Sequence, residues 1–127
     1  MTKRVLDVGN CVPDHASIRS LIENNFDAKV LQAHGLEDAF AALRANKIDL
    51  VLVNRKLDQD YSDGIEIIKQ IKADADLATT PCMLITNFTE HQDMAEQAGA
   101  ERGFGKLEFA APKTRERLSE ILCRADQ

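Results

Sequence analysis

The chain has 127 residues, of which 44% are hydrophobic and 29% charged, and its formal net charge is −5. That is the composition of one globular domain able to bury a core without disulfides or structural metal, and it excludes collagen-like, disordered and mini-protein architectures. No Lys/Arg stripe suited to nucleic acid occurs, no apolar run approaches the ~20 residues that span a bilayer, and the start lacks a signal-peptide pattern, so nucleic-acid, membrane and secreted readings fall away.

The first predicted strand is Lys3 to Val8, with Val5, Leu6 and Val8 apolar and Asp7 interrupting them. After Pro13 the apolar period changes to Ile18, Leu21, Ile22 and Phe26, one stripe of a helix that Asp14 is placed to cap. A strand over Ala28 to Gln32 is followed by Leu36, Ala39, Phe40 and Leu43 at helical spacing. Asp49-Leu-Val-Leu-Val-Asn54 is too short for a helix and apolar on both faces, as a central parallel strand is.

A polar loop, Arg55 to Ser62, leads to Asp63-Gly-Ile-Glu66, which reads as a capping box opening a helix with Ile67, Ile68 and Ile71 inward. Cys82 to Thr86 is the next strand. A helix carrying Met94, Ala95 and Ala98 ends at Gly99, Glu101 to Lys106 is the last strand, and Pro112 opens a final helix with Leu118, Ile121 and Leu122 buried. Strict alternation of five strands and five helices predicts an α/β fold, a doubly wound parallel sheet whose site lies in the loops after the strand C-termini. Those loops hold Gly9 to Pro13, Asn54 to Ser62, Thr86 to Phe88, and Lys106.

Cys11, Cys82 and Cys123 are odd in number and widely spaced, the pattern of free thiols in a reducing cytoplasm. Asp58, Asp60 and Asp63 fall out of step with a calcium loop and read as solvated loop and helix cap. His15, His34 and His91 read as surface or capping residues, and Cys11 near His15 is the one nucleophile and base pair the spacing allows. Asp7 reads either as a buried charge seeking a partner such as Lys106 or as an edge residue.

Asp49-Leu-Val-Leu-Val-Asn54 with Asp63-Gly64, Pro81-Cys-Met-Leu-Ile-Thr86, and Gly99-Ala100 followed by Lys106 together resemble the receiver domain of two-component response regulators. The resemblance implies a flavodoxin-like, CheY-like fold, one receiver-like domain over residues 1–127 with no output domain, and a place in phosphorelay signalling. In that family an acidic pair and an aspartate hold Mg²⁺, the aspartate accepts a phosphoryl group, and a Thr or Ser and a Lys steady it. Thr86 and Lys106 keep the last two positions, whereas the acceptor is Asn54 and the acidic pair falls on Gly9 and Asn10 or on Asn10 and Cys11.

The aromatic switch position maps to Gly103. This pattern resembles a degenerate pseudo-receiver, a module without catalytic residues in which Mg²⁺ binding is weak or absent. Asn54→Asp alone should not restore efficient phosphorylation, whereas Asp at 9 and 10 as well should help if the pair falls on Gly9 and Asn10. The implied partner is a signalling protein such as a sensor kinase or response regulator, met on the fourth and fifth helices around Glu90, Asp93, Gln97, Arg115 and Ser119. The alternative is a small-ligand or nucleotide module using the same crevice.

Overall fold

The computed structural model describes residues 2–123, so Gln127, where the sequence ends, lies outside it. Five parallel strands, β1 (Lys3–Val8), β2 (Ala28–Ala33), β3 (Leu50–Asn54), β4 (Cys82–Ile85) and β5 (Glu101–Phe104), form one sheet in the order β2-β1-β3-β4-β5. Between and after them come α1 (Val12–Asn25), α2 (Leu36–Ala45), α3 (Gly64–Ala73), α4 (Thr89–Gln97), a short 3₁₀ turn at Lys106–Glu108, and α5 (Pro112–Leu122).

Side chains of a strand alternate between faces, so each strand feeds two cores. Val5, Leu50, Leu52, Met83, Ile85 and Phe104 meet α1 and α5 through Ile18, Ile22, Leu118 and Ile121. On the other face Leu6, Val8, Val51, Val53 and Leu84 meet α2, α3 and α4 through Leu43, Ile67, Ile68, Ile71 and Ala95. Burying each large aliphatic chain contributes roughly 1.5–3 kcal/mol, and these two layers hold the strand ends in fixed register. No helix among the described residues is long and apolar enough to cross a membrane.

Four local expectations are corrected. The N-cap position of α1 is Cys11, and Asp14 lies in the first turn, where its charge favours the positive helix end. Only half of the capping box forms: the Asp63 carboxylate accepts from the Ile65 N–H at 3.0 Å, while Glu66 lies beside Lys69. In α4 Met94 is exposed and Gln92 is buried in the position facing the sheet. Finally, β5 stops at Phe104, and Lys106 opens the 3₁₀ turn.

Candidate functional site

Val8 pairs with Val53 across β1 and β3, so the loop after β1 meets the end of β3 at the reversal of strand order, where doubly wound sheets form their crevice. The structure brings Cys11, Asn54, Thr86 and Lys106 to one crevice of about 500 Å³. Gly9 and Asn10 are buried behind it. Gly9 turns the chain with φ of 78°, a left-handed conformation that glycine adopts without penalty.

Asn54 uses both amide protons inside the site. Its Nδ2 donates to the carbonyl of Lys56 at 2.7 Å and to that of Gly9 at 3.2 Å. Two carbonyl neighbours fix which way the amide points, and a carboxylate placed there would face two acceptors. Thr86 is nearly buried, and its Oγ1 accepts from the Phe88 N–H at 3.3 Å and lies 3.4 Å from His91 Nδ1.

Asp7 stands on β1, between β2 and β3, so it is not an edge residue. It is fully buried, and its partner is His15 rather than Lys106. His15 Nδ1 lies 2.6 Å from Oδ2, and Asn10 Nδ2 donates to Oδ1 at 2.5 Å. His15 is therefore not the surface or capping residue its place in the sequence suggests, because the pairing joins a strand to a helix and exists only once both have packed. Burial pushes the Asp7 carboxyl above the ordinary range despite these hydrogen bonds.

Lys106 instead reaches Asp14, Nζ to Oδ2 at 2.6 Å, and the Cys11 thiol donates to the same oxygen at 3.2 Å. Against its partial desolvation, these two neighbours hold the Asp14 carboxyl below the usual range. Cys11 and His15 are thereby directed to different carboxylates. Asp60 accepts from Ser62, Asp63 caps α3, and Asp58 lies 3.9 Å from His34, so the three loop carboxylates have separate neighbours.

Magnesium requires a cluster of hard oxygen donors, usually carboxylates. Here the positions offer the neutral amide oxygens of Asn10 and Asn54 and a thiol where the ion wants carboxylates, so the donor set fits it poorly. Of the two registers for the acidic pair, the one that uses position 9 meets a local obstacle. A Cβ on Gly9 would sit 2.3 Å from Leu57 Cδ2 and 3.2 Å from Leu57 Cα, on a backbone that disfavours any side chain.

Gly103 lies in a bulge. Met83 pairs with Glu101 but Ile85 pairs with Phe104, leaving one extra residue on β5. The freed backbone groups are taken by side chains: the Gly103 N–H donates to Gln92 Oε1 at 2.8 Å, and the Gly103 carbonyl accepts from Arg117 at 2.6 Å. Gln92 Nε2 donates to the Leu84 carbonyl at 2.9 Å and to that of Thr86 at 3.3 Å, tying α4 to β4 and β5. A Cβ at 103 would approach the Leu84 carbonyl oxygen to 2.3 Å, so this backbone has no room for an aromatic.

Glu90, Asp93 and Gln97 are exposed on α4, with Asp93 bound to Arg102 at 2.6 Å. Arg115 and Ser119 line a separate hollow with Asn25 and Phe26, on the α1 side of α5. The residues of α5 that join α4 residues around a common cavity are Lys113 and Arg117, which the sequence did not single out.

A family model for the response regulator receiver domain matches residues 11–107, starting just after Gly9 and Asn10. Solved structures with the same fold include one assigned as a response regulator from Chloroflexus aurantiacus J-10-fl, with TM-score 0.85 and 19% identity over 98% of this chain and 100% of that one. The signal receiver domain of a DNA-binding response regulator from Colwellia psychrerythraea 34H aligns with TM-score 0.72 and 25% identity, over 93% and 98% of the two chains. Chemotaxis protein CheY4 of Vibrio cholerae aligns with TM-score 0.77 and 18% identity, over 96% and 100%.

Proposed function

Because the chain belongs to the response regulator receiver domain family, a module of two-component signalling, we propose that it is a receiver that no longer accepts a phosphoryl group and acts by docking to a signalling partner, a sensor kinase or another response regulator. The observation that carries this reading is Asn54. Phosphoryl transfer to a receiver needs an anionic oxygen nucleophile and a metal to offset the charge of the transferred group. An amide whose protons hold the Gly9 and Lys56 carbonyls supplies no anionic nucleophile, and its oxygen brings no charge to attract a metal.

Docking without switching is supported by Gln92. A receiver that toggles needs an element with two arrangements of similar energy. The buried Gln92 side chain instead binds three backbone groups of β4, β5 and the segment joining β4 to α4, and favours one arrangement.

Intact-mass measurement after treatment with acetyl phosphate and Mg²⁺ tests the proposal. Unmodified wild-type protein is expected. Asn54→Asp also stays unmodified and loses stability, by about 1–2 kcal/mol, because two carbonyls lose their donors and face a carboxylate. An acyl-type phosphoryl adduct on the wild-type chain would overturn the reading.

A further inference from the structure

Arg55 and Lys56, the two residues after β3, line the crevice, and among the described residues neither side chain has a carboxylate or hydrogen-bond partner. In a chain of net charge −5, cations left without carboxylates inside a concavity are unusual. Lys106 stands on the same wall but is already paired with Asp14 at 2.6 Å, and Asp58 is the single carboxylate in the lining, its Oδ1 within 3.9 Å of His34. Low-dielectric walls concentrate the field of such charges, so Arg55 and Lys56 favour an anion on this wall in a chain whose net charge is −5.

Two exposed aromatics line the same space. Tyr61 is 75% exposed and Phe88 59%. Tyr61 is the chain's one tyrosine, and among the described residues it is the one non-glycine residue in the left-handed region, with φ of 58°. That turn is closed by its own backbone, the Tyr61 N–H donating to the Leu57 carbonyl at 2.9 Å and the Leu57 N–H to that of Ser62 at 3.0 Å. Phe88 is set edge-on against His91 with ring centroids 5.5 Å apart. The volume of about 500 Å³ lies within the range of small-molecule sites.

Guanidinium and ammonium groups recognise phosphate, and aromatic faces stack on planar rings. We propose that this crevice binds, without a metal ion, a phosphate monoester carrying a planar ring, the chemistry of a nucleoside monophosphate. Arg55 and Lys56, the two cations of the crevice without a carboxylate partner among the described residues, take the phosphate, and Tyr61 and Phe88 take the ring. The inference goes beyond docking and rests on the reading above only in requiring that Asn54 carry no phosphoryl group.

The test titrates the full chain, in EDTA, with the four ribonucleoside 5′-monophosphates, the matching nucleosides and inorganic phosphate, following backbone amide shifts. At least one nucleotide should saturate, with shifts centred on residues 55, 56, 61 and 88, and bind about tenfold or more tighter than its nucleoside and than inorganic phosphate. Tyr61→Ala, and the double change Arg55→Ala with Lys56→Ala, should each weaken that binding about fivefold or more while ligand-free thermal stability holds. Equal affinity for nucleotide and inorganic phosphate would remove the ring from the proposal. A requirement for Mg²⁺, or no saturable shift with any of these compounds, would overturn it. Failure of binding on a chain that acetyl phosphate leaves unmodified defeats this inference and leaves the docking proposal standing.

Discussion

Asp7 is a fully buried carboxylate on an inner strand, and its pKa is displaced in the direction opposite to that of Asp14. Burial raises its pKa above the ordinary 3.8, so between that value and the folded one the native state holds a proton that the unfolded chain has released. Its contribution to stability is fully present below pH 3.8 and is lost as pH rises through the folded value. Asp14 runs the other way: its carboxyl, partly desolvated but bound by Lys106 and Cys11, is held low, and its contribution is lost as the medium becomes acid. Asp7→Asn removes the first trend alone. Relative to wild type, the variant should therefore gain stability as pH rises from below 3.8 through the folded pKa of Asp7, measured by urea denaturation. A constant difference across that range would mean that the Asp7 carboxyl does not titrate with a raised pKa. His15, its partner, was not legible as such in the sequence, because an imidazole eight positions away along the chain meets Asp7 only when α1 lies on β1.

At the level of elements, the contrast between α3 and α4 explains what could be read and what could not. The apolar stripe Ile67, Ile68 and Ile71 announces the buried face of α3, and the structure buries all three. Helix α4 is polar around most of its circumference, and the residue that fixes it is a glutamine, so hydrophobic periodicity points to Met94, which is exposed. The reason for Gln92 is a backbone event, the bulge in β5, which leaves amide and carbonyl groups for side chains to satisfy. Replacing Gln92 with Leu keeps the bulk and removes the bonds. The cost should be roughly 1–3 kcal/mol, since a buried N–H and carbonyl lose their partners. Hydrogen exchange at the Gly103 amide should accelerate beyond the loss in global stability; exchange that tracks global stability alone would show that the clamp does not control β5.

For the whole molecule, the fold was legible because each level agreed: alternating elements, apolar strands at the centre, Gly99 in the left-handed conformation at the end of α4. The site was half legible. Thr86, Lys106 and Asn54 follow from strand ends, whereas the unpaired state of Arg55 and Lys56 depends on where every other charge comes to rest. The surface prediction belongs to this scale, because Glu90 and Arg115 lie on different flanks. Glu90→Lys and Arg115→Glu should each change thermal stability by less than ~0.5 kcal/mol. Retention of a sensor kinase or response regulator partner on the immobilised chain should fall with the reversal on whichever flank that partner covers, and unchanged retention for both would remove these helices from the docking surface. The turn at Gly9 has a further consequence. A side chain at 9 meets Leu57, one at 103 meets the Leu84 carbonyl, and a carboxylate at 54 meets two carbonyls, so each single step toward an ordinary receiver is opposed by backbone already in place. If the proposed loss of phosphoryl transfer holds, the local backbone acts as a ratchet: an acidic site at these positions needs several coordinated changes rather than one.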